Sequence, residues 1–133
     1  MLFVDTSVLI PFFSGKNNPG TERLVQAEKD LETIAIPIIC CQELLQGAIN
    51  EAHWKKLLSI LSTQNVVSLL DPFSSSVSAA RIYYDCRKKG ITIRSTIDCL
   101  IAQIVLENNG VLLHMDKDFE QIAKVRSLRL ITS

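Results

Sequence analysis

A chain of 133 residues, 47% hydrophobic and 21% charged, carries enough apolar side chain for one substantial core, which excludes a disordered or fibrous protein. Its 14 basic and 14 acidic residues cancel, so binding to a nucleic acid has to draw on a local patch and not on a global positive field. The start Met1-Leu2-Phe3-Val4-Asp5 lacks a basic leader and no apolar run approaches the ~20 residues of a membrane span, so neither a signal peptide nor a membrane protein is expected.

Leu2 to Val4 reads as a short buried strand that ends at Asp5. Thr6 to Phe13 follows as a helix with Pro11 in its early turns, and Ser14 to Gly20 is a loop. A helix from Thr21 to Glu32 turns Leu24, Val25, Ala27 and Leu31 inward. Thr33 to Ile36 forms a second strand closed by Pro37. Helices from Ile38 to Ile49 and from Glu51 to Ser62 come next, and Asn65 to Leu70 contains a third strand.

Pro72 opens a long helix that reaches Lys89 and stops at Gly90, with Arg87-Lys88-Lys89 at the negative end of its dipole. Thr96 to Asn108 is helical and ends at Asn109-Gly110. Val111 to His114 is the fourth strand, Asp118 to Val125 a short helix, and Leu128 to Ile131 the fifth strand. The alternation predicts a three-layer α/β/α sandwich around a mostly parallel sheet of about five strands, with residues 1–133 as one domain. The cysteines Cys40, Cys41, Cys86 and Cys99 show no C-x-x-C spacing, which fits reduced packing residues in a cytoplasmic protein. A mean hydropathy of +0.23 is high for a small monomer and predicts apolar surface covered by a partner.

Four acids stand inside apolar segments that belong to the core: Asp5, Glu43, Asp98 and Asp116. An isolated buried carboxylate is costly, so acids placed this way are expected to converge on a cation. In an open parallel sheet the meeting place is the rim at the carboxyl ends of the strands, where Asp5 and Asp116 sit. Oxygen ligands without a histidine cluster favour Mg²⁺ or Mn²⁺, whose natural chemistry is hydrolysis of a phosphodiester. Each acid also has a plainer role. Asp5 and Asp116 can cap the helices that follow them, Ser95-Thr96-Ile97-Asp98 fits a capping box, and Glu43 can be a solvated helix acid.

Arg94 lies one helical turn before Asp98, where it can engage a scissile phosphate or pair with a nearby acid. Thr6 or Ser7 can hold a metal-bound water or Asp5 itself, and Ser and Thr are equally ordinary at a helix start. Asp118 reads as a helix-start acid and His114 as a packing histidine. The stretch Arg81 to Lys89 mixes bases with aromatics and can follow an RNA backbone, although a solvated helix end explains it more simply.

The segments Val4-Asp5-Thr6-Ser7-Val8-Leu9-Ile10, Gln42-Glu43-Leu44-Leu45-Gln46-Gly47-Ala48, Thr96-Ile97-Asp98-Cys99-Leu100-Ile101-Ala102 and Leu112-Leu113-His114-Met115-Asp116-Lys117-Asp118-Phe119 occur in an order that resembles the PIN domain, especially the VapC-type toxin ribonucleases. The resemblance covers essentially the whole chain. It implies a PIN fold and a Mg²⁺- or Mn²⁺-dependent endoribonuclease acting on a structured RNA such as a transfer RNA or a ribosomal loop. It also implies a homodimer and control by a VapB-like antitoxin over an apolar groove on the helices between Thr21 and Ser62. Carried over, Asp5, Glu43, Asp98 and Asp116 would form the acidic site, with Asp5 and Asp98 the most direct ligands and Arg94, Thr6 and Ser7 facing substrate. Two rivals differ in class. A phosphotransfer domain would want a second acid beside Asp5, which the sequence lacks, and a non-catalytic PIN-like binding module would be expected to lose one of the acids.

Overall fold

A computed structural model of the chain describes residues 1–132. Its strands β1 (Leu2–Val4), β2 (Ile34–Pro37), β3 (Val66–Val67), β4 (Val111–His114) and β5 (Arg129–Thr132) form one sheet in the order β3-β2-β1-β4-β5. Every pairing is parallel. The helices are α1 (Thr6–Phe13), α2 (Pro19–Lys29), α3 (Ile38–Gln46), α4 (Glu51–Leu61), α5 (Pro72–Lys88), α6 (Thr96–Glu107) and α7 (Lys117–Ile122).

The central strand β1 is buried along its whole length, as a strand covered by helices on both faces must be. Phe3, Ile101, Ile104, Leu112, Leu113 and Phe119 are among the largest fully buried side chains of the core. The chain leaves β1 toward β2 on one side and later returns to β4 on the other, so the order reverses beside β1. Crevices open at such a switch point, and Asp5 and Asp116 are the residues that follow β1 and β4.

Local sequence explains most boundaries. Asn18 and Thr21 exchange both bonds of a capping box around Pro19, and Asp71 caps α5 ahead of Pro72. At the end of α5, Gly90 takes φ +74° while its N–H and that of Ile91 bond back to Arg87 and Cys86. The corresponding position after α6 is filled by Asn109 at φ 50°, which leaves Gly110 for another task. A Cβ on Gly110 would stand 2.5 Å from the Phe3 ring, so this glycine lets the helix end approach the central strand.

The departures from expectation are local. The sheet is wholly parallel among the described residues. Val25 is 39% exposed, and Leu31 lies beyond the end of α2 at φ 55° and 89% exposure, so neither faces inward. The helix end falls at Asp30, before the apolar period reaches Leu31. Helix α3 stops at Gln46 because Gly47 caps it and Asn50 starts the next helix with its own side-chain bond. Strand β3 ends at Val67, and beyond it Leu70 turns away, its N–H donating to Glu107. No helix among the described residues is long and apolar enough to cross a membrane.

Candidate active site

Asp5 ends β1 and caps α1, and it is 3% exposed. Its Oδ2 accepts the Ser7 N–H at 3.0 Å and the Ser7 hydroxyl at 2.6 Å. The same hydroxyl accepts the Met115 N–H at 2.9 Å, so Ser7 ties β1 to the turn after β4. The Cys40 thiol approaches Asp5 Oδ1 at 3.9 Å. Burial and then the neighbouring Asp5 charge hold that thiol protonated. Burial raises the Asp5 carboxyl itself, opposed by the Ser7 bonds and reinforced by the charge of Asp116.

Glu43 projects from α3, half-buried, and its Oε1 accepts the Thr6 hydroxyl at 3.0 Å. Burial raises its pKa, the Thr6 bond lowers it, and the charges of Asp5 and Asp116 raise it again. The Thr6 and Ser7 hydroxyls are thus both engaged with acids of the cluster.

Asp98 lies in the first turn of α6 and is 6% exposed. The capping box expected around it does not form. Ser95 makes no side-chain cap bond, and its N–H donates instead to Asp118 at 3.2 Å. Asp98 Oδ2 is buried without a hydrogen-bond partner among the described residues. Burial, followed by the charges of Asp116 and Asp5, pushes its carboxyl far above the ordinary range.

Asp116 follows β4 and caps α7, its Oδ1 accepting the Asp118 N–H at 2.9 Å. Its own N–H donates to His114 Nδ1 at 3.1 Å, which leaves the histidine proton on Nε2. His114 is 2% exposed, stacks edge-on against Phe119, and is kept neutral chiefly by burial. It packs as the sequence suggests.

Asp118 is the residue that sequence reasoning undervalued. It does sit in the first turn of α7, yet its carboxylate reaches across to accept the N–H groups of Arg94 at 3.0 Å and of Ser95. Oxygens of Asp98, Asp116 and Asp118 lie within 4.8 Å of one another, making a tighter group than any that includes Asp5 or Glu43. Its position two residues after Asp116 was the available signal, although helix-start acids share it. Arg94 pairs with nearby acids, one of the two roles expected for it. It lies at the rim, its side chain 72% exposed, with its guanidinium 3.6 Å from Asp116 and 3.5 Å from Asp118.

Five carboxylates therefore face one rim from β1, α3, α6 and the β4–α7 turn. They offer hard oxygen atoms, one of them buried and unsatisfied, and several resist ionisation. Such a donor set fits a divalent cation of the Mg²⁺ or Mn²⁺ kind.

A family model described as PIN domain matches residues 2–125. The chain is 30% identical to the VapC ribonuclease Mb1587 of Mycobacterium bovis, covering 97% of this chain and 96% of that protein. Ribonuclease VapC11 of Mycobacterium tuberculosis matches with the same identity and coverage. Among solved structures, VapBC2 from Rickettsia felis bound to a promoter DNA fragment superposes with a TM-score of 0.74 at 18% identity, covering 100% of this chain and 99% of that one. FitAcB from Neisseria gonorrhoeae gives 0.73 at 18% identity, with 98% and 96% covered.

Proposed function

Because the chain belongs to the PIN domain family, we propose that it is a VapC-type endoribonuclease, the toxin of a type II toxin–antitoxin pair, working as one domain over residues 1–133. The observation that carries this reading is the convergence of Asp5, Glu43, Asp98 and Asp116 on one rim, with Asp98 Oδ2 buried and unpartnered.

In this reading Asp98 and Asp116 hold a Mg²⁺ or Mn²⁺ ion with Asp5, and Glu43 and Asp118 complete the ring. Bound there, the cation supplies Lewis-acid stabilisation of charge on the phosphate. Ser7 and Thr6 keep Asp5 and Glu43 aimed at the rim. Arg94, already drawn over Asp116 and Asp118, turns its exposed guanidinium to the scissile phosphate. Hydrolysis breaks the P–O3′ bond, water adding hydroxyl to phosphorus and a proton to O3′. The products are a 5′-phosphate and a 3′-hydroxyl.

The substrate is a structured RNA such as a transfer RNA or a ribosomal loop, met in the cytoplasm. The partner is a VapB-like antitoxin, in keeping with the VapBC complexes that share the fold. Its apolar side chains enter the groove of about 380 Å³ between Phe12, Phe13, Leu24, Ile36 and Ile60. A second copy of the chain covers the exposed apolar start of α5, where Phe73 is 79% and Val77 53% exposed.

The test is cleavage of total cellular RNA with 5′-end mapping, comparing Mg²⁺, Mn²⁺ and EDTA, and wild type with Asp5→Asn. A few sharp, metal-dependent cuts that vanish in the variant are expected. RNA bound equally by both forms and cut by neither would instead describe a non-catalytic module.

A further inference from the structure

Helix α5 changes character along its length. Its start, Pro72 to Ala80, carries no charge, whereas residues 81–94 hold five basic side chains and one acid in a chain that is otherwise balanced. The basic end is the one near the acidic rim. The Leu70 N–H donates to Glu107 at 2.9 Å, so α5 begins beside the last residue of α6 and the two helices run antiparallel. At the other end, Tyr83 forms a groove wall with Thr96, Cys99 and Leu100, from the turn of α6 that carries Asp98.

The cations at this end gather on aromatic faces. Arg81 lies 4.6 Å from the centroid of Tyr84, Lys88 5.6 Å and Arg87 5.8 Å, and Arg87 is also 5.9 Å from Tyr83. Three like charges thus crowd one ring that is 43% exposed. The acid among them, Asp85, is shared between Arg81 and Arg126 at 3.0 Å each. Complementing the helix dipole needs only the cations of the last turn, Arg87 and Lys88. Arg81, the two tyrosines and Lys89 are surplus to it.

We infer that the segment from Arg81 to Lys89 docks the sugar–phosphate backbone of single-stranded RNA and feeds it past Arg94 to the acidic rim. Spaced cations meet the phosphates, and the exposed Tyr84 ring accepts an unstacked base. The inference rests on the nuclease reading and adds the surface that such a chain uses, which a net charge of zero requires to be local.

The decisive experiment measures fluorescence anisotropy of a labelled single-stranded RNA of about 16 nucleotides over a range of salt. It uses Asp5→Asn protein without metal, with and without Arg87→Ala, Lys88→Ala and Lys89→Ala together. The triple variant is expected to bind about tenfold more weakly near 0.15 M salt, with a plot of log K against log salt less steep by about 2. Placed in the wild-type chain, the same three substitutions should leave melting temperature and Mn²⁺ binding unchanged, because none of the three residues touches the cluster. If the triple variant does not fold, the three single variants decide, each expected to shift the slope by about 0.7.

Equal affinity and slope, from a protein whose wild type still cuts RNA, would overturn the docking surface and leave the nuclease reading standing. A wild type that neither binds nor cuts RNA would sink both. Polyglutamate that competes as well as unlabelled RNA would assign the patch to an acidic protein and overturn the inference.

Discussion

Asp118, in the first turn of α7, accepts the backbone N–H of Arg94 at 3.0 Å across 24 residues of chain. The same oxygen takes the Ser95 N–H, so a single carboxylate anchors the segment that enters α6. Because Asp116 Oδ1 in turn receives the Asp118 N–H, Asp98 and Asp116 stand in one frame although separate elements carry them. The rim is held by its own acids.

Removing this anchor should weaken the fold and blur the site. Asp118→Ala leaves two backbone donors without their acceptor and is expected to cost about 2–3 kcal/mol in urea unfolding with EDTA present. Asp118→Asn keeps an acceptor oxygen and should cost less. Equal stability of Asp118→Ala and wild type would show that the Arg94–Ser95 segment is held by something else.

The partnerless carboxylate of Asp98 predicts a trade of function against stability. Without metal, Asp98→Asn should be more stable than wild type near pH 7 by about 1 kcal/mol or more, since it removes the proton uptake that burial and neighbouring charges force on the wild-type carboxyl during folding. It should also lose the rise in melting temperature that Mn²⁺ gives the wild type, and cleave RNA about 100-fold more slowly or worse. A variant less stable than wild type in EDTA would mean that the carboxylate is favourable without a cation.

The pH dependence of the metal-free protein follows from the same shifts. Asp5, Glu43 and Asp98 all have pKa values raised in the fold, so above the ordinary carboxylate range the native state holds more protons than the unfolded chain. Stability is therefore full below the unfolded values and is lost as pH rises, by up to about 1.4 kcal/mol per pH unit for each proton involved. His114, lowered by burial, acts the other way only below its ordinary value of about 6.5. Above that, melting temperature in EDTA should fall steadily with pH, and Mn²⁺ should remove the fall because metal displaces the protons. A flat profile in EDTA would contradict the crowding of the acids.

Leu31 holds a left-handed conformation at φ 55° with its side chain 89% exposed. The residue contributes little packing, and the conformation costs a branched side chain about 1–2 kcal/mol. Leu31→Gly, the usual residue at this helix-end position, should raise stability by about 0.5–1 kcal/mol in thermal or urea unfolding. No gain, or a loss, would show that the exposed leucine packs on something that glycine cannot replace.

Much of this is legible in the sequence. Asp71-Pro72 starting α5, Gly90 ending it and Asn50 starting α4 are signals carried within a few residues. The alternation of short apolar runs with helices identifies the sheet, and the acids that interrupt those runs mark where strands end. The misreadings have one cause. Val25 and Leu31 keep the apolar period of α2, but the helix end and the neighbouring elements decide which faces are covered. Ser95-Thr96-Ile97-Asp98 satisfies a capping pattern, yet Asp118 supplies the bond to the Ser95 N–H from outside the helix.

By itself the sequence determined where helices start, where strands stop and which carboxylates lie among core residues, since these depend on backbone preferences and caps within a turn or two. What each carboxylate meets depends on how distant elements pack. The order β3-β2-β1-β4-β5 sets β1 beside β4 and so brings Asp5 and Asp116 together. The antiparallel packing of α5 on α6 carries a basic helix end to the same rim. The desolvation and charge crowding that act on Asp98 come from residues distant in the chain. Electrostatic environment is a property of arriving neighbours, and those are assembled by the fold.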